Sequence, residues 1–219
     1  MGSIWVDEQE LKNLRLQVAA QQTLWTTFGG GLSEIAALID RLIAGHTALP
    51  TVYCQRNQPW SDDKLGTSQS TLGLEGCLVT DSASMLTDAG KKMTPGELNA
   101  FLKANGGFVN SAGGPTNAKR MVWAALNKLG VVKFINRVEC WWVAAPMATI
   151  KQFLDADDFV LVEVDFDPDP DRDQHWVRLL DIGGTIMDPW TGDICQITKY
   201  RGKDVNECIR GVAYYKRVN

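Results

Sequence analysis

His175-Trp-Val-Arg-Leu-Leu-Asp-Ile-Gly-Gly-Thr-Ile-Met-Asp-Pro-Trp190 decides the fold class. Apolar residues fill both halves around Gly183-Gly184. Two strands folding back through a tight turn have this pattern, because glycine takes turn conformations that a Cβ would forbid. Upstream, Phe159-Val-Leu-Val-Glu-Val164 is another β-rich run, and 212–218 alternates enough for a final strand. Helical spacing lies earlier. It covers 78–86, directly after Gly76-Cys77, and 95–104, which opens with Thr94-Pro-Gly-Glu97 as a capping box with Pro at the first helical position. It is also read over 117–129, closed by Gly130. Helices first and antiparallel strands second predict an α+β domain.

Residues 51–76 are polar and glycine-punctuated with no helical period, so an extended, loop-rich entry is expected there. Residues 1–50 have a different character and read as a helical arm. Leu11, Leu14, Val18, Trp25 and Phe28 give 7–26 an apolar stripe that Gly29-Gly-Gly31 ends. Ile35, Leu38, Ile39, Leu42 and Ile43 give 33–44 another. The bland reading is a helical hairpin packed on the following domain. The sharper one is a docking or oligomerisation segment, through which the chain joins other subunits of an assembly or a second copy of itself. His46-Thr-Ala-Leu-Pro50 reads as the linker to a domain over 51–219.

The chain has 219 residues, 45% of them hydrophobic, and a formal charge of −4. That supports a packed core and argues against intrinsic disorder. An acidic balance without a Lys/Arg cluster argues against nucleic acid as a partner. No apolar run approaches a membrane span. The N-terminus lacks the apolar stretch of a signal peptide, and Val6 stands where myristoylation needs Ser or Thr. Synthesis in the cytoplasm with reduced thiols is the expectation. Only two His, His46 and His175, accompany five scattered Cys, with no C-x-x-C pair. No metal or other cofactor is expected from this set.

Cys77 stands where a helix begins. Free backbone N–H groups and the helix dipole stabilise a thiolate there, although most free Cys are small buried hydrophobes. His175 opens a strand, and hairpin pairing brings Asp188 beside it. A carboxylate so placed holds the imidazole in one tautomer while the imidazole deprotonates a thiol. Taken alone, a His in this position is more commonly a surface residue.

The ordered blocks carry a resemblance. Gln55-Arg-Asn-Gln-Pro-Trp60, Leu65-Gly-Thr67, Gly73-Leu-Glu-Gly-Cys77 and Met93-Thr-Pro-Gly-Glu-Leu-Asn-Ala-Phe-Leu102 resemble the first half of a C39-like cysteine peptidase domain. His175-Trp-Val177, Met187-Asp-Pro-Trp-Thr-Gly192 and the ending 211–218 resemble its later half. The resemblance implies a papain-like fold over 51–219. It implies Cys77 as nucleophile, His175 as general base, Asp188 as orienting carboxylate and Gln55 as oxyanion donor, with Gln58 and Gln69 as rivals for that last role. Leu78 stands where many relatives have Gly. A cysteine peptidase or amidase acting on a peptide or cell-wall peptide is the activity implied, and a phage virion is one setting for it. The competing reading is a structural component of such an assembly that uses the fold without catalysis. Acyl transfer through the same thioester is a third.

Five Asp at alternate positions over 165–173 read as a solvated loop or as Ca²⁺ ligands, without the glycine and glutamate of an EF-hand loop. Beside His175, the loop is expected to favour cationic substrates. Trp60, Trp176 and Trp190 flank the proposed centre, and Trp141-Trp142 reads as part of a strand.

Overall fold

The structure, a computed structural model, describes residues 50–167 and 173–218, with Lys12. Apart from Lys12 and Pro50, the helical arm read over 1–50, with His46, lies outside the described residues, as does the middle of the acidic loop.

A short turn of helix, α1 (Leu72–Glu75), leads into α2 (Cys77–Asp88), and α3 (Pro95–Ala104) follows. The α3 capping box forms as its sequence requires. Thr94 Oγ1 accepts from the Glu97 backbone N–H, and Glu97 Oε2 accepts from the Thr94 backbone N–H at 2.8 Å. A two-strand ribbon, β1 (Phe108–Val109) and β2 (Arg120–Met121), precedes a 3₁₀ helix at Trp123–Leu129. The chain continues as β3 (Val132–Glu139), α4 (Met147–Asp155), β4 (Phe159–Asp165), β5 (Gln174–Leu179), β6 (Thr185–Asp188) and β7 (Asp193–Gln196). The last elements are α5 (Val205–Cys208) and β8 (Gly211–Arg217).

Six strands form one antiparallel sheet in the order β3-β8-β4-β5-β6-β7. The fold is therefore mixed helix and sheet, as the hairpin stretch predicted. Strand β4 is buried along its whole length, which explains why it reads as a continuous apolar run. Its alternate residues serve two cores. Phe159 and Leu161 face Leu86, Leu98 and Leu102 of the helices, joined by Ala213 and Tyr215 of β8. Val160, Val162 and Val164 pack with Ile150 of α4, Ile186, Val212 and Tyr214 on the other side.

Two expectations are corrected. Residues 117–129 are not one helix. Asn117 takes a left-handed φ of 49°, and the Ala118 carbonyl accepts from Thr67 at 2.9 Å, so this segment is committed to the loop beside it. Arg120 and Met121 then pair with Val109 and Phe108, and helical turns start only at Trp123. Trp141-Trp142 is not strand either. β3 ends at Glu139, Trp142 is 78% exposed, and Trp141 Nε1 donates to Glu163 Oε1 at 3.0 Å.

Among the described residues, no helix is long and apolar enough to cross a membrane.

Candidate active site

Cys77 is the first residue of α2 and is half-buried. The first-turn N–H groups of a helix have no intrahelical carbonyl to meet, so they point at whatever lies beside the sulfur. Gly76 precedes it for a steric reason, since a Cβ there would collide with the Leu72 carbonyl oxygen.

The β5–β6 hairpin supplies the other two groups. Met187 lies opposite Arg178, so Asp188 and His175 emerge beyond that pair from the same end of the hairpin. His175 Nε2 and Asp188 Oδ1 are 3.1 Å apart, and both side chains are almost fully buried. Asp188 Oδ1 also accepts from the Trp190 backbone N–H at 2.9 Å. Its Oδ2 accepts from the Tyr200 hydroxyl at 2.6 Å and is paired with Lys199 Nζ. Gly192 closes this corner. Its N–H donates to the Asp188 carbonyl at 2.8 Å, its φ is 74°, and a Cβ there would stand 2.6 Å from Cys54 Cβ. Only glycine satisfies both the turn and that close approach.

Electrostatics follow from this geometry. Burial alone lowers the proton affinity of His175. The Asp188 carboxylate and a hydrogen-bonding, charge-coupled Cys77 outweigh it and push its pKa up to about 9. Burial opposes ionisation of Asp188, but His175, Lys199 and Tyr200 hold it well below the usual carboxylate range. Phe166 and Tyr200 pack around the imidazole, with ring centroids 5.2 and 5.5 Å away. They exclude water and so strengthen the pairing.

Gln55 is buried, while its rivals are exposed: Gln58 donates to Ser61 and Asp62 in its own loop, and Gln69 lies open. Gln55 ties two parts of the centre together. Its backbone N–H donates to the Pro189 carbonyl at 2.7 Å, and its Nε2 donates to the Gly73 carbonyl at 3.1 Å. One amide hydrogen is therefore committed to α1, the helical turn that leads into α2.

The sequence reading missed four polar residues. Arg178 joins β5 to α2 through Asp88 Oδ2 at 2.6 Å and Ser84 Oγ at 2.9 Å. Lys199 and Tyr200 complete the surroundings of Asp188. Asp81, one turn after Cys77, is fully buried, and neither carboxyl oxygen has a hydrogen-bond partner of good geometry. Burial and the nearby charges of Cys77 and Asp188 raise its proton affinity well above normal, which Arg178 only partly offsets. A carboxyl in the apolar-spaced run 78–86 was the available signal for Asp81. Nothing local marks the other three.

Of the tryptophans, Trp176 lines a cleft that opens at Cys77. Trp190 stacks under Arg56, with Cζ 4.4 Å from the ring centroid. Trp60 instead donates to the Cys54 carbonyl and packs against Tyr53. In the acidic loop, Asp165 is buried and held by Arg201 at 3.2 Å. Among the described residues, no group of three or more His, Cys, Asp or Glu converges as a metal site. No protein-family model, curated protein or solved structure matches the chain.

Proposed function

We propose that residues 51–219 form a papain-like cysteine peptidase or amidase of C39-like type. The observation that carries the reading is the buried 3.1 Å His175–Asp188 pair whose imidazole is coupled to a cysteine at a helix start. A core-packing role for these residues would not require a buried carboxylate with four donors around it, because burying a charge is costly unless it is paired.

In this mechanism His175 takes the Cys77 proton, and the thiolate attacks the substrate carbonyl carbon. The carbonyl π electrons move to oxygen. First-turn N–H groups of α2, with the uncommitted Nε2 hydrogen of Gln55, donate to that oxyanion. As the tetrahedral species collapses, the C–N bond breaks and the imidazolium protonates the leaving amine. His175 then deprotonates water, which attacks the thioester. The carboxylic acid leaves and the thiol is restored. Asp188 orients the imidazole and stabilises its cation, with Lys199, Tyr200 and the Trp190 N–H fixing the carboxylate in turn.

The test is labelling with an electrophilic peptide probe and mapping the modified residue by mass. Modification of Cys77, lost in Cys77→Ala and strongly slowed in His175→Ala, is the expected result. Equal labelling of Cys54 or Cys140, or a rate indifferent to His175, would overturn the reading.

A further inference from the structure

A cleft of about 620 Å³ opens beside Cys77, between α2, the β1–β2 ribbon and the start of β5. That volume suits several residues of an extended ligand. Two chemistries share its walls. Trp123 and Trp176 meet edge to face with ring centroids 4.9 Å apart, and Leu74 stands at the rim 68% exposed. Three cations, Lys119, Arg120 and Arg137, also line it, in a chain whose net charge is −4.

The cations are not equivalent. Arg137 Nη2 is held by Glu163 Oε2 at 2.7 Å and Glu139 Oε2 at 2.9 Å. Lys119 Nζ is paired with Glu75 Oε2 at 2.5 Å. Arg120 is exposed, and no acidic side chain among the described residues pairs with it. Among the described residues, the cleft therefore carries one uncommitted guanidinium next to an aromatic wall, beside the reactive sulfur. A guanidinium fork matches a carboxylate in shape and charge. A polyanion such as nucleic acid would need a row of free cations. On the other side of the centre, Asp165 is already engaged by Arg201.

We propose that this cleft is the recognition subsite of the Cys77 centre and takes an acidic peptide segment, with an apolar side chain against Trp123 and Trp176 and its neighbouring carboxylate at Arg120. The assignment rests on Cys77 being the nucleophile and adds the substrate class. It also reverses the charge preference expected from the acidic loop.

The experiment uses two peptide probes with the same electrophile and the same apolar residue, one with Glu and one with Lys beside it. Second-order rates of Cys77 modification are measured on the full chain at low salt and normalised to iodoacetamide alkylation. The Glu probe should react about fivefold faster, the scale of a solvent-accessible ion pair. The advantage should vanish in Arg120→Gln and invert in Arg120→Glu, and it should shrink as salt screens the pair. A Lys probe as fast as the Glu probe, or a Glu advantage untouched by Arg120→Gln, overturns the subsite. If iodoacetamide modifies Cys77 at a His175-dependent rate while the charge preference is absent, the subsite alone falls. If neither probe nor iodoacetamide modifies Cys77 preferentially, the nucleophile assignment fails and the subsite falls with it.

Discussion

Replacing Asp188 with Asn tests the core of the site without changing its shape. In the wild type, the rise of His175 from an ordinary 6.5 to about 9 corresponds to about 3 kcal/mol of preference for the imidazolium. Burial works against that preference, so Asp188 and Cys77 supply more than the net figure. Removing the Asp188 charge leaves Cys77 alone against burial, and His175 should then titrate clearly lower than in the wild type. The chain has only two histidines, so imidazole NMR with a His46→Gln reference resolves His175 directly. The sign for stability follows from the raised value. The His175 contribution is fully present below pH 6.5 and fades as pH rises through about 9. Asp188 has the opposite sign. Its lowered pKa gives stability present above about pH 4 and lost on acidification. Wild-type titration near 6.5, or an Asp188→Asn variant that still titrates near 9, would refute the electrostatic argument.

Three further outcomes are expected. Asp88→Ala leaves buried Arg178 without its carboxylate and should cost about 3–5 kcal/mol in urea unfolding; adding Arg178→Met should recover most of it, and additive losses would contradict a paired clamp. Asp81→Asn removes a carboxyl whose folded-state pKa is raised, so the variant should gain stability relative to wild type as pH rises above about 4; a pH-independent difference would show that Asp81 titrates normally. Gly192→Ala should cost about 1–3 kcal/mol from its left-handed φ and its crowding of Cys54, and should slow Cys77 alkylation by loosening the Asp188 corner; wild-type stability would remove the steric argument.

The sheet was legible because its signals are local. The β-rich apolar run of β4, the alternation of β8 and the Gly183-Gly184 turn each sit within one short segment, and so does the α3 capping box. The same holds for the His175–Asp188 pairing, which one hairpin produces. The failures were tertiary. Residues 117–129 have helix-forming spacing, but Ala118 exchanges hydrogen bonds with Thr67, a partner 51 positions away. Trp141 and Trp142 look like strand residues, yet their segment answers to Glu163 on another strand. Arg178 carries no pattern because its partners Ser84 and Asp88 lie across the fold, and Lys199 and Tyr200 carry none because the turn after β7, not a strand register, brings them to Asp188. β3 and α4 escaped the sequence reading too. In Val132–Glu139 only Val132 is buried and the other residues are half-buried or exposed without alternation, which weakens its apolar signal.

The clamp between Arg178 and α2 bears on when the thiol becomes reactive. His175 and Asp188 are 13 positions apart and meet as soon as their hairpin closes, whereas Arg178 and Ser84 are 94 apart. The dyad thus rests on a local hairpin, whereas bringing the sulfur to it requires the long-range docking of α2. On the proposed reading of Cys77 as nucleophile, its pairing with the dyad depends on α2 staying docked through Arg178. Local undocking of that helix would silence the centre while leaving the sheet intact, so loss of labelling should precede loss of β-structure on heating.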